Sequence, residues 1–203
     1  VMEANFGCAA ATGAWSQRDS FQMLEMATLR WLSMASVPSS AEAALALLRE
    51  LEARLPTQTV RTEEQIKHQH FSTPLGLSWL ATHLADVQPD DVVLEPSAGT
   101  GMLAIWASHA GSLHLNEIDP VRQEILRHLF PGATVTDHDA ARIGVHLTLR
   151  PSVVLMNPPF SAAVHVDRRV ADAALRHVAS ALARLPEGGR LVAITGANVA
   201  PDN

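Results

Sequence analysis

Along the first third of the chain, apolar residues recur every three or four positions, the period of a helix with one buried face. Residues from about Trp15 to Met34 run without glycine or proline and are rich in Met, Leu and Ala. That predicts a helix whose Met23, Met26, Trp31 and Met34 pack against the core. Val37-Pro38 breaks the run. Ser39 and Glu42 have the spacing of a capping box, and "AEAALALLRELEARL" continues at helical intervals until Pro56. Thr62 and Gln65 repeat that spacing before a shorter helix. The period then changes. The short apolar runs "VVLE", "LHLNE", "TVTDHD", "SVVLM" and "RLVAIT" read as strands. Helices are predicted between them. One spans about Met102–Ala107. A second carries Val121, Ile125, Leu126 and Leu129, opened by Asp119-Pro120 and stopped by Pro131-Gly132. A third covers Val166–Leu185, stopped by Pro186 and Gly188-Gly189. Strands alternating with helices predict an α/β fold, a doubly wound, mostly parallel sheet covered on both faces. Residues 1–58 read as an N-terminal helical extension and residues 59–203 as the core domain. The final predicted strand lies close to the last residue. Either the domain ends there, truncated after its fifth strand, or the chain is a piece of a longer polypeptide.

Composition narrows the class. The chain has 203 residues, 47% hydrophobic and 18% charged, ordinary values for a globular protein. No apolar run has the length of a membrane span, and "VMEANFGCAA" has no basic region leading into an apolar stretch. The single cysteine, Cys8, excludes an internal disulfide and a cysteine-based zinc site and fits a reducing cytoplasm. The formal net charge of −6 counts against strong DNA binding by this chain alone. Residues 1–100 carry 6 basic and 12 acidic side chains; residues 101–203 carry 9 of each. Arg150, Arg168, Arg169, Arg176, Arg184 and Arg190 of the second half are candidates for phosphates or for a solvated face.

"EPSAGTGMLA" (Glu95–Ala104) holds Gly99-x-Gly101-x-x-Ala104 after a predicted strand. It satisfies the dinucleotide fingerprint, with Glu117 at about the distance of a ribose-binding acid. A nicotinamide-dependent oxidoreductase is therefore one reading. Glu95 opposes it, because a pyrophosphate on a helix N-terminus disfavours a neighbouring carboxylate. A cationic ligand favours one. S-adenosylmethionine carries an ammonium and a sulfonium and no phosphate. On that reading Glu95, Pro96, Ala98, Gly99, Gly101 and Met102 form the cofactor bend, where glycine permits close backbone approach. Glu117 would accept from both ribose hydroxyls. Ile118 would press on the adenine. Asp139, beside Ala140, would accept from the adenine amino group, with Asp137 competing because register decides which points inward.

"VLEPSAGTG", "LNEIDP", "DHDA" and "NPPF", in this order and spacing, resemble the amino-methylating branch of class I S-adenosylmethionine-dependent methyltransferases, in particular DNA adenine-N6 methyltransferases. "QHFSTP" (Gln69–Pro74) is similar to that family's additional cofactor motif, which implies that Phe71 and Thr73 flank the cofactor. Thr73 is also a good N-cap and Pro74 a good first helical residue. The resemblance covers roughly residues 60–203 and implies a Rossmann-like sheet of the class I methyltransferase type, acting on DNA. "ATGAWSQRDSFQMLEMATLRWL", "RTEEQIKHQHFSTP" and "GGRLVAITGAN" resemble the methylase part of bacterial methylase–helicase fusion proteins of the strawberry-notch type. This implies a helicase module beyond residue 203.

The turn "NPPF" has a physical reading of its own. The adenine amino nitrogen is a poor nucleophile because its lone pair is delocalised into the ring. Two acceptors on its hydrogens would favour a pyramidal nitrogen. The Asn157 side-chain oxygen and the Pro158 carbonyl can supply them, with Pro159 fixing the backbone. Phe160 would stack on the flipped base. A guanine amino group in RNA or a glutamine side-chain amide in a protein would use the same turn, and an inactive cofactor-binding module is a further alternative. His68-x-His70 and Asp137-His138-Asp139 lack the helical zinc pairing, so no metal is predicted. No serine sits in a nucleophile elbow, and Cys8 reads as packed or inert.

Overall fold

A computed structural model of the chain describes residues 2–56, 72–159, 162–164, 168–170 and 173–196. The N-terminal region holds a short helix α1 (Met2–Phe6), then α2 (Gln17–Leu32) and α3 (Ala41–Arg54). Next come α4 (Leu75–Ala85), β1 (Val92–Glu95), β2 (Ser112–Asn116), α5 (Pro120–Leu129) and β3 (Thr134–Thr136). A 3-10 turn at Ala140–Arg142 leads into α6 (Ile143–His146), β4 (Val153–Met156) and the short strands β5 (Ala162–Val164) and β6 (Arg168–Val170). The chain continues through α7 (Ala173–Leu182) to β7 (Arg190–Ala193).

Five strands form one sheet in the order β3-β2-β1-β4-β7, every pair parallel. Side chains alternate between its faces with period two. Val93, Leu115, Val153 and Leu155 join a core built with α2, α3, α4 and α5, in which Leu29, Leu48, Leu103 and Leu126 are fully buried. Leu94, Val154 and Met156 face the other way, against Ile143 of α6 and Ala181 of α7. The doubly wound α/β architecture is thus the one the sequence predicts. No described helix is long and apolar enough to cross a membrane.

Several local expectations fail. The residues after the glycine bend form successive tight turns rather than a regular helix. Ile105 N–H reaches the Gly101 carbonyl, but Trp106 and Ala107 N–H reach back only three residues. The long helix from Val166 begins only at Ala173, because β5 and β6 pair antiparallel ahead of it. The third strand stops at Thr136, short of the acidic residues. Met23, Trp31 and Met34 are exposed, Met34 by 72%, because α2 buries the stripe Gln22, Thr28, Leu29 and Leu32 instead. Ser40, not Ser39, caps α3, its hydroxyl accepting from Ala43 N–H. The Thr62–Gln65 capping box lies outside the described residues. Among the arginines, Arg190 is ion-paired with Asp91, Arg184 donates to the Leu149 carbonyl, and Arg150 and Arg176 are exposed. The side chains of Arg168 and Arg169 lie outside the description. Cys8 is half-buried.

Candidate active site

The site forms where β1, β2 and β4 end together. Glycine is required at two places in the bend after β1. Gly99 has φ 58° and Gly101 φ 99°, the left-handed region that favours glycine. A Cβ on Gly101 would also stand 2.5 Å from the Phe130 ring. The bend is held by the neighbouring strand: Ala98 N–H donates to the Asn116 carbonyl at 2.9 Å, and Gly99 N–H donates to Glu117 Oε2 at 2.8 Å.

Glu95 is 2% exposed, and its Oε2 has no hydrogen-bond partner. Burial pushes its carboxyl well above the usual carboxylate range. A backbone hydrogen bond from Ala104 opposes the shift, and the charge of Glu117 adds to it. Glu117 is also buried and raised by that burial, against the Asp119 and Gly99 amides and the Arg122 charge. Its Oε1 accepts from Asp119 N–H at 2.9 Å, so each oxygen already serves one backbone donor and retains one further acceptor site. Asp119 caps α5, accepting from Val121 and Arg122 N–H, with Pro120 at the first helical position as predicted. Burial raises Asp119, but the Arg122 N–H and the charge of Arg18 outweigh it and leave the carboxyl below its ordinary value.

Pro96, Ala98 and Met102 are buried around the bend, while Ile118 is 57% exposed at the tip of β2. Asp139 caps the 3-10 turn, its Oδ1 accepting from Ala141 N–H at 2.9 Å, and Ala140 is half-buried beside it. Asp137 is exposed and caps nothing among the described residues. His138 stacks on His146 at 4.9 Å. Among the described residues no group of three His, Cys, Asp or Glu side chains could hold a metal ion. His68, His70 and Phe71 lie outside the described residues.

Asn157 follows β4, beside β1. Leu94 pairs with Val154, so Asn157 stands two residues beyond the level of Glu95 on the adjacent strand, about 8 Å away by strand geometry. Its Nδ2 donates to Thr73 Oγ1 at 2.9 Å, and its Oδ1 is buried without a partner. This corrects the expected role of Thr73 as a helix cap. Pro74 takes the N-cap position with no side-chain cap bond, and Leu75 begins α4, which leaves the Thr73 hydroxyl to Asn157. Pro158 is buried and Pro159 half-buried; Phe160 lies outside the described residues.

Three contributors escape sequence reasoning. Asn116, 1% exposed, donates to the Pro96 and His138 carbonyls and accepts from Thr136 Oγ1 and His138 N–H, tying the end of β2 to the loops after β1 and β3. From α2, Glu25 accepts a 2.9 Å hydrogen bond from Thr100 in the bend, and Arg18 is ion-paired with Asp119. "LNEIDP" signals Asn116 only as a polar residue at a strand end, and nothing in the pattern of α2 announces its polar contacts.

The architecture is a Rossmann-like fold of the class I methyltransferase type. Among solved structures, a proposed RNA methyltransferase from Pyrococcus horikoshii is 22% identical, with a TM-score of 0.53, covering 77% of this chain and 76% of that one. TrmN from Thermus thermophilus is 22% identical, with a TM-score of 0.52, covering 68% of this chain and 44% of that one. This chain thus spans less than half the length of TrmN. No protein-family model matches the chain, and comparison with curated proteins finds no significant match.

Proposed function

We propose that this chain binds S-adenosylmethionine across the glycine bend and transfers its methyl group to an exocyclic amino nitrogen, N6 of an adenine flipped from DNA. The observation that carries this reading is the Asn157 amide, fixed through Nδ2 to Thr73 while its buried Oδ1 has no donor. A buried acceptor left unpaired costs about 1–3 kcal/mol, which a substrate N–H would offset.

The donor set fits the cofactor. Glu95, with its unpartnered Oε2, would receive the ammonium, and Glu117 would receive the ribose through a remaining acceptor site. Thr73, Pro74, Pro96, Ala98, Gly99, Gly101, Met102, Ile118, Asp139 and Ala140 would line the same region, with Phe71 in the segment ahead of α4. When bound, the cofactor supplies an electrophilic methyl group. Asn157 Oδ1 accepts one amino hydrogen and the Pro158 carbonyl the other, with Pro159 holding that corner. The lone pair then points at the methyl donor, and both acceptors stabilise the positive charge that develops on nitrogen. Phe160 would stack on the base. Flipping costs a few kcal/mol, and an aromatic stack returns about 1–3 kcal/mol. A helicase module beyond residue 203 belongs to the same proposal, as a source of the DNA contacts that an acidic chain lacks.

Asn157→Ala should leave affinity for S-adenosylhomocysteine within about twofold and slow methyl transfer about 100-fold, near 3 kcal/mol. Tritiated methyl transfer to duplex DNA, single-stranded DNA, RNA and protein reads both rate and substrate. Label in adenine of DNA is expected. Label in RNA guanine or protein glutamine would reassign the substrate while keeping the turn, and an undiminished Asn157→Ala rate would remove the role given to this residue.

A further inference from the structure

Helix α2 turns a polar stripe toward the site. Arg18, Gln22 and Glu25 lie at intervals of four and three, in line with the buried Leu29 and Leu32. The two ends of this stripe reach two loops of the site: Arg18 pairs with Asp119 after β2, and Glu25 accepts from Thr100 in the glycine bend. Gln22 stands between them on the stripe, and the two loops that its neighbours reach are joined where Gly99 N–H donates to Glu117. It is 4% exposed, and neither its Oε1 nor its Nε2 has a hydrogen-bond partner. One turn along α5 from Asp119, the buried Arg122 also leaves its Nε unpartnered, and its Nη1 lies 3.9 Å from where a Cβ on Gly99 would sit. Unpaired buried polar atoms thus lie on α2 and α5, two helices that pack against each other, as they do on Glu95 and Asn157 of the site itself.

We propose that Gln22 is a cofactor-binding residue of the N-terminal helix, its amide and the Arg122 Nε taking up the vicinal hydroxyls of a ribose held beside Glu117. This rests on the cofactor reading above. The unpartnered set contains an acceptor, Gln22 Oε1, and donors on Gln22 Nε2 and Arg122 Nε. A carboxylate or phosphate only accepts, so it would leave Oε1 unpaired and press a negative charge on Glu117. An ammonium only donates and would leave both nitrogens unpaired. A hydroxyl does both, and a diol serves the whole set while giving its second hydrogen to Glu117. Because these atoms are covered, α2 must lift to admit the ligand and then reseat over it.

Gln22→Met keeps the side-chain length and removes both polar atoms. Without ligand, this variant should melt no lower than the parent, since an unpaired buried amide has been replaced by an apolar group. Its dissociation constant for adenosine should rise about tenfold, the scale of one to two hydrogen bonds. For 2′,3′-dideoxyadenosine parent and variant should bind alike, because the hydroxyls are the coupled partner. Unchanged adenosine affinity would overturn the proposal. So would a lowered melting temperature with equal losses for both nucleosides, the mark of a purely structural amide. A parent chain that binds neither adenosine nor S-adenosylhomocysteine would instead sink the cofactor reading, and this proposal with it.

Discussion

Glu95 is the residue whose protonation reports on the ligand. Its carboxyl is raised well above its ordinary 4.5 by burial first, with the Glu117 charge acting in the same direction and the Ala104 backbone opposing. A raised folded value means that the neutral acid stabilises the fold fully below the unfolded value. That contribution fades as pH rises through the folded value. A ligand amine in the bend favours the ionised form. Binding of sinefungin, an amine-bearing cofactor analogue, should therefore release a proton from Glu95 and tighten as pH rises toward the raised value. Adenosine, which has no such amine, isolates what Glu117 contributes, since Glu117 is raised as well. Calorimetry in two buffers of different ionisation heat counts the proton. Glu95→Gln should abolish that released proton, weaken sinefungin more than adenosine, and raise the melting temperature of the unliganded protein at neutral pH, because the cost of ionising a buried carboxyl has been removed. A released proton that survives in Glu95→Gln would place the titration elsewhere. At this scale Arg18 and Glu25 of α2 go unannounced, whereas Glu95 and Glu117 are legible in the sequence, because a carboxylate beside a glycine bend needs a reason. Their neutral supports are not. Asn116 acts through four hydrogen bonds to β3 and to the loops after β1 and β3, and Thr73 acts on a residue more than eighty positions away.

Among the elements, those that short-range chemistry defines come out as read. Asp119-Pro120 opens α5, and all five strands stand near their predicted places because short apolar runs between turn residues have few alternatives. The helix read from Val166 does not. The apolar spacing after Val166 fits a helix, yet β5 pairs with β6, an event that periodicity cannot report. The glycine bend sits between these cases. Its glycines are visible in the sequence, but the reason for Gly101 is the Phe130 ring as well as its own φ of 99°. Gly101→Ala should therefore cost more than a change of backbone preference alone, about 1–3 kcal/mol in urea unfolding, and weaken S-adenosylhomocysteine binding with it. Adding Phe130→Leu should return the steric part and leave the part due to the left-handed backbone. A Gly101→Ala protein of parental stability would show that the ring simply moves aside.

For the whole molecule, the question is whether the N-terminal helices are an appendage or a wall of the core. Residues 1–58 read from the sequence as an extension because their period differs from that of the sheet and they carry no evident chemistry. Sequence period says how a segment folds, not against what. In the structure Leu29 and Leu32 of α2 and Ala44 and Leu48 of α3 are buried in one cluster with Leu75 and Trp79 of α4, Val93 of β1 and Leu103 after the bend. A chain with this continuity should unfold as one unit. Leu48, fully buried, supplies the test, because it lies far in sequence from the site and belongs to the apolar cluster. Leu48→Ala should lower the unfolding free energy by about 2–5 kcal/mol. The single transition should be retained, coincident by far-ultraviolet circular dichroism and by the fluorescence of Trp79 and Trp106, isolated by replacing Trp15 and Trp31 with Phe. Separate transitions, with the helices melting first and the tryptophans unmoved, would mean that α2 and α3 rest on the sheet without sharing its stability. Coincident loss would mean that the helix carrying Gln22 and Glu25 cannot leave its seat without cost to the fold, so that any lifting of α2 must be local and brief.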